Sequence, residues 1–118
     1  MKHLILSAFC LLGFCVYGNS QQAGVVKDTI RTVLENDKLK VMEYVSTPGK
    51  DACGKGLHSH APHLTILLTD ASIRLTTKDG KEQDFDLKAG STLWSEADTH
   101  IAINNGSKPV KAYLVEIK

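Results

Sequence analysis

A chain of 118 residues has room for one domain. Its 42% hydrophobic and 23% charged residues are ordinary for a globular protein and exclude a disordered chain. Fourteen basic against 13 acidic residues give a net charge of +1 with no basic patch, which excludes nucleic acid as the main partner.

The first residues read as a targeting segment. Lys2 supplies a positive start, an apolar run extends from Leu4 to Tyr17, and small and polar residues follow from Gly18 to Gln22. This is the three-part pattern of a secretory signal, with cleavage expected after Gly18 or, second, after Ser20. The run is short of the roughly 20 apolar residues that a membrane span needs, so export to the periplasm or medium is expected without a stable membrane anchor. Phenylalanine precedes both Cys10 and Cys15, where a lipid-modified cysteine requires a small residue. The expected organisation is a signal peptide over 1–18, a lead-in over 19–33 and a β-barrel domain over 34–118. The mature chain keeps four histidines and one cysteine. A single cysteine makes no internal disulfide, so Cys53 is either a free thiol or an intermolecular partner.

Val25 to Glu35 is ambiguous between a short helix and an edge strand. From Leu39, Val41, Glu43 and Val45 alternate with Lys40, Met42 and Tyr44, the period of a strand. Pro48-Gly49 stops it, and the glycine-rich segment from Gly49 to Leu57 reads as a loop. His63 to Thr69 is an apolar β-like run, and Ser72 to Thr77 alternates Ile73 and Leu75 with polar neighbours. Lys78-Asp79-Gly80-Lys81 predicts a hairpin in which Gly80 supplies a positive φ. Gln83 to Leu87 turns Phe85 and Leu87 inward, and Ala89-Gly90 turns again. Thr92 to Ser95, His100 to Asn104 and Val110 to Ile117 complete seven or eight strands, with Asn105-Gly106 as a further turn. Turns every 8 to 12 residues and no convincing helix predict an all-β antiparallel sandwich or barrel.

The histidines fall in a pattern. His58 and His60 are separated by one residue, so a strand points both to one face. Pro62 offers a bend that returns His63 toward them. His100 lies on a strand assigned to the far side of the domain, sharing a face with Ala102 and Asn104 while Ile101 and Ile103 take the other. An imidazole turned into a mostly apolar interior needs a partner, and a metal ion serves. The alternative is a set of surface histidines with no metal. Cys53, five residues before His58, ligates that metal, responds to oxidation, or lies exposed on its loop. Trp94 reads as a packing residue at the barrel rim. Glu96 is a candidate base or partner of a ligand histidine, and otherwise a solvated charge. Asn104 either hydrogen-bonds a ligand histidine or is structural. Tyr44 and Tyr113 read as core or as a dimer surface.

From about Leu34 to Lys118 the chain resembles a small single-domain cupin, a jelly-roll barrel or double-stranded β-helix. The resemblance is carried by Glu35-Asn36-Asp37-Lys38, Pro48-Gly49, His58-Ser59-His60-Ala61-Pro62-His63, Asp79-Gly80-Lys81, Lys88-Ala89-Gly90, Leu93-Trp94-Ser95, and His100 with Asn104. It implies one divalent transition metal (Fe, Mn, Zn, Ni or Cu) on His58, His60 and His100. The usual glutamate ligand is missing and His63 stands roughly in its place, so a four-histidine site is expected. Asp70 stands near the usual turn glycine, and Ser95-Glu96-Ala97 replaces the usual Pro-x-Gly. A site of histidines without a carboxylate is expected to keep the metal's full positive charge and to favour anionic ligands or dioxygen chemistry. The implied function is a small dioxygenase-like or isomerase-like enzyme acting on a small molecule. The alternative is a non-catalytic periplasmic module that binds metal or a small ligand. The resemblance also implies a homodimer, with Val25 to Glu35 as the candidate exchanged strand covering a sheet edge.

Overall fold

The computed structural model describes residues 24–118. The segment read as a signal peptide lies outside them. Nine strands form: β1 (Thr29–Glu35), β2 (Leu39–Ser46), β3 (His58–His60), β4 (His63–Leu67), β5 (Ala71–Thr77), β6 (Glu82–Leu87), β7 (Thr92–Ser95), β8 (Asp98–Asn104) and β9 (Val110–Ile117). Among the described residues there is no helix. The strands make a five-stranded sheet, β1-β2-β9-β4-β7, and a four-stranded sheet, β3-β8-β5-β6, and every pairing is antiparallel. The count exceeds seven or eight because the ambiguous segment and the three residues His58–His60 both become strands.

β1 is an edge strand exposed along its whole length. With neither face buried it carries no alternation, which is why its sequence is ambiguous. A bulge between Thr32 and Leu34 breaks its register with β2. Asn36 turns the chain between the two strands, its Oδ1 accepting from the backbone N–H of Lys38 at 2.8 Å and of Leu39 at 3.0 Å. The expected hairpin at Gly80 forms, with φ of 79° at the glycine.

The interior lies between the sheets. Met42 and Tyr44 of β2, Ala102 of β8 and Leu114 of β9 pack with Cys53, and Leu67, Ala71 and Val110 form a second cluster. Ile73, Leu75, Phe85 and Leu87 point into the same space, as their alternation predicts. Period two therefore sends Met42, Tyr44 and Ser46 inward and Glu43 to the outer face. There Glu43 is nonetheless buried, beneath Arg31 of β1 at 2.8 Å and Lys111 of β9 at 3.2 Å.

The Arg31 guanidinium holds the Glu43 carboxyl below the usual carboxylate range, Lys111 adds to this, and burial opposes both. A carboxyl depressed in the folded state stabilises the fold above its unfolded pKa, and that stability is lost as pH falls through the folded pKa. Acid unfolding followed by circular dichroism is expected to show stability declining below about pH 4.5, the ordinary glutamate value. Glu43→Gln is expected to reduce the steepness of that decline.

Candidate metal centre

The loop before β3 is shaped by one carboxylate and two glycines. Asp51 accepts from the backbone N–H of Cys53 at 2.9 Å and of Gly56 at 2.6 Å. Gly54 and Gly56 take positive φ of 65° and 67°, which a side chain would resist. The Ala52 N–H donates to Ala102 O at 2.6 Å, tying the loop to β8. These bonds fold Cys53 back into the interior and aim the Gly56 carbonyl at His58.

β3 then pairs with β8, His58 directly opposite His100 and His60 opposite Asp98. His100 is thus the cross-strand neighbour of His58 in the same sheet, not a residue from the far side of the domain. Directly opposed residues share a face, so three imidazoles converge from two adjacent strands. Ring centroids are 4.5 Å apart for His58 and His60, 5.2 Å for His58 and His100, and 5.3 Å for His60 and His100. His60 and His100 are buried and His58 is half-buried. Cys53 is buried as well, its Sγ 3.7 Å from His60 Nε2. One donor atom from each of Cys53, His58, His60 and His100 lies within 4.8 Å of every other. Two metal–ligand bonds end to end span about 4.0 to 4.6 Å.

His63 is buried too, with its ring 4.9 Å from that of His60, but it lies outside this tightest group. The fourth donor within reach of the three ligand histidines is therefore Cys53, which the loop bonds place inside, while His63 borders the group at the cavity wall.

The Nδ1 atoms show which way each ring is set. His58 Nδ1 faces Gly56 O at 2.7 Å, His63 Nδ1 faces Ala61 O at 2.8 Å, His100 Nδ1 faces Asp98 Oδ2 at 2.6 Å, and His60 Nδ1 faces Glu116 Oε1 at 3.5 Å. Each partner is an acceptor, and the short contacts at His58, His63 and His100 favour a proton on Nδ1 and a lone pair on Nε2, while the 3.5 Å contact at His60 is too long to fix its tautomer. Yet His58 Nε2 and His60 Nε2 stand 2.6 Å apart. Either His60 donates an Nε2 proton across this contact, or both atoms present lone pairs and a cation beside them offsets the repulsion. Burial, with the neighbouring rings adding to it, lowers the His60 pKa against the opposing pull of Glu116, which favours the neutral ligating form. Asp98 Oδ1 is buried with no hydrogen-bond partner among the described residues, a negative charge that also calls for a nearby cation. Burial, with Asp51 adding to it, pushes the Cys53 thiol up to about 12, so without metal the thiol keeps its proton. The donor set, its lone pairs and the orphaned carboxylate oxygen all fit a divalent transition metal.

Asp98 and Glu116 were missed in the sequence. Asp98 lies two residues before His100 and so shares its face, which period two alone makes readable. Glu116 faces inward on β9, opposite His63 on β4; no local pattern gives that pairing. They correct the expectation of an uncompensated metal charge, because two carboxylates stand behind the ligand rings. Glu96 and Asn104 are not brought to the cluster. Glu96 accepts from Trp94 Nε1 at 2.9 Å at an exposed rim. Asn104 is fully buried and donates to Ser46 O and Lys108 O, both at 2.9 Å, while its Oδ1 accepts from Gly106 N–H at 3.0 Å.

Removing the charge behind one ring tests this wiring. Asp98→Asn is expected to weaken metal affinity about 10- to 100-fold, measured by competition with a chelating dye, while the far-ultraviolet circular dichroism stays unchanged.

The cluster opens onto a cavity of about 330 Å3 between the sheets, lined by His60, His63, His100 and Cys53 and otherwise mostly by aliphatic and aromatic side chains, with the hydroxyl residues Ser46, Thr65 and Ser95 among them.

No family model and no curated protein matches the chain. Solved structures do match. A cupin domain from Bordetella pertussis Tohama I superposes with a TM-score of 0.69 at 24% identity, covering 77% of this chain and 93% of its own. A cupin-family protein with a double-stranded β-helix fold from Methanocaldococcus jannaschii gives 0.64 at 12% identity, over 81% of this chain and 84% of its own. A cupin 2 conserved barrel domain protein from Salinispora arenicola gives 0.54 at 19% identity, over 75% and 73%. At these identities the likeness concerns the fold, which is the cupin double-stranded β-helix.

Proposed function

We propose that this cupin-fold chain holds one divalent transition metal on His58, His60 and His100, with Cys53 as the fourth donor, and uses it to bind and act on a small molecule in the adjoining cavity. The observation that carries this reading is the convergence of one donor atom each from Cys53, His58, His60 and His100, all within 4.8 Å of one another. Imidazole and thiolate together suit zinc, iron, nickel or copper and disfavour manganese, which takes oxygen ligands. When bound, such a metal supplies Lewis acidity and, for iron or copper, redox chemistry toward dioxygen. The chain's own part is to orient. Gly56 O and Asp98 orient the His58 and His100 rings, Glu116 stands behind His60, and the apolar walls exclude water from the space beside them. Four-coordinate sites can expand to five, so a cavity ligand can approach from the side of His60 and His100. The cavity favours this reading over a purely structural ion, which would need no room beside it.

We further propose that the protein is exported, on the strength of the Leu4 to Tyr17 run and its small-residue flank. We propose also that it pairs as a homodimer through the exposed β1 edge. Metal analysis by plasma mass spectrometry of protein purified without an affinity tag is expected to find one equivalent of transition metal per chain. Protein holding no metal after purification, and taking up none on reconstitution, would overturn the reading. Dioxygen uptake by the iron-loaded form with phenolic or diketone compounds separates an enzyme from a binding module.

A further inference from the structure

The cavity wall is informative about what it accepts. Away from the histidines it is built from Leu67, Leu75, Phe85, Leu87, Leu93 and Leu114. Its volume of about 330 Å3 lies at the small end of ligand sites, about 300–1,000 Å3. No lysine, arginine, aspartate or glutamate lines it. A carboxylate or phosphate moved here would find no cationic side chain, and the metal's charge is already offset by Asp98 and Glu116 behind the rings. A sugar would set several hydroxyls against leucine side chains, each unpaired group being costly. The walls therefore disfavour the anionic ligands that the sequence suggests, and sugars as well.

One wall group is a hydrogen-bond donor in want of a good acceptor. Tyr44 is buried at the metal end of the cavity, packed with Cys53. Its hydroxyl meets only the Met42 thioether sulfur, at 3.6 Å, among the described residues. Thioether sulfur is a weak acceptor. A tyrosine hydroxyl, with a reference pKa of about 10, is a donor across the physiological range. Of the wall's other hydroxyls, those of Ser46, Thr65 and Ser95, that of the fully buried Ser46 is turned to the Thr47 and Lys50 carbonyls at 3.4 and 3.3 Å.

We propose that the cavity takes a neutral, predominantly apolar small molecule bearing a carbonyl or hydroxyl oxygen, which accepts a hydrogen bond from the Tyr44 hydroxyl. The inference rests on the metal-centre reading in one respect: the oxygen-bearing end faces the His58–His60–His100 cluster.

The test uses four matched probes on the full chain, with zinc content measured first. Acetophenone is neutral with one oxygen, ethylbenzene lacks the oxygen, benzoate adds a charge, and glucose is polar throughout. Calorimetric titration is expected to show acetophenone binding tightest, ethylbenzene weaker, and benzoate and glucose not at all. Tyr44→Phe is expected to weaken acetophenone about 3- to 10-fold and to leave ethylbenzene unchanged, which also reports that the variant's cavity is intact. Benzoate or glucose binding as tightly as acetophenone, equal acetophenone affinity in Tyr44→Phe and the parent, or no binding by any probe would each overturn the ligand class. A chain that binds no zinc contradicts the metal centre instead, and the probe order in that metal-free protein still decides the ligand class.

Discussion

His58→Ala is expected to abolish stoichiometric metal binding while leaving the metal-free protein folded. Most truncations of a folded protein destabilise it. Here the deleted ring is half-buried, and its loss removes contacts to Gly56 O at 2.7 Å and His60 Nε2 at 2.6 Å, so a modest loss of metal-free stability is expected. Loss of a ligand should cost more than the about 10- to 100-fold that loss of an outer hydrogen-bond partner costs. Two melting curves, with and without metal, separate the two effects. Metal at a thousandfold excess over Kd stabilises a protein by about 4 kcal/mol, so the parent's Tm is expected to rise by roughly 15 °C or more on loading. The variant's Tm should not respond to metal. A metal-dependent rise in His58→Ala as large as in the parent would remove this ring from the site.

The largest effect on stability alone is expected from Asn104→Ala. Its amide joins three pieces of chain by bonding Ser46 O, Lys108 O and Gly106 N–H from a fully buried position. Truncation leaves those groups unpaired at about 1–3 kcal/mol for a buried group. A total loss of about 3 kcal/mol is expected, read as a lowered urea midpoint. Metal stoichiometry should stay at one per chain, because Asn104 touches no histidine. Its neighbourhood also explains Gly106, where a Cβ would come within 3.2 Å of the Ser72 Cβ. The glycine there answers to close approach rather than to positive φ.

Asn104 shows how far a strand pattern can be read. Period two puts it on the face of His100, and it is there, but pattern gives the face and not the partner. The same limit runs through the site. β7 and β9 have the spans that alternation and turn residues predict, and the β5–β6 hairpin turns at Gly80, because each has local signals. The His58–His60 pair is likewise local. The adjacency of β3 and β8 is a pairing of segments about forty residues apart, which no local pattern encodes, so His100 was assigned to the far side. Glu116 was hidden for the same reason: its meaning comes from β9 lying beside β4. Cys53 was left between ligand and surface thiol because its burial depends on Asp51 gathering the loop through two backbone N–H groups.

Anomalous diffraction from crystals of the zinc-loaded protein at the zinc edge tests the account most directly. It predicts a single peak about 2.0–2.1 Å from the Nε2 atoms of His58, His60 and His100 and about 2.3 Å from Cys53 Sγ, with the Nδ1 atoms of the three rings still turned to Gly56, Glu116 and Asp98. A peak on surface residues, ligation through Nδ1, or no peak among these rings would contradict it.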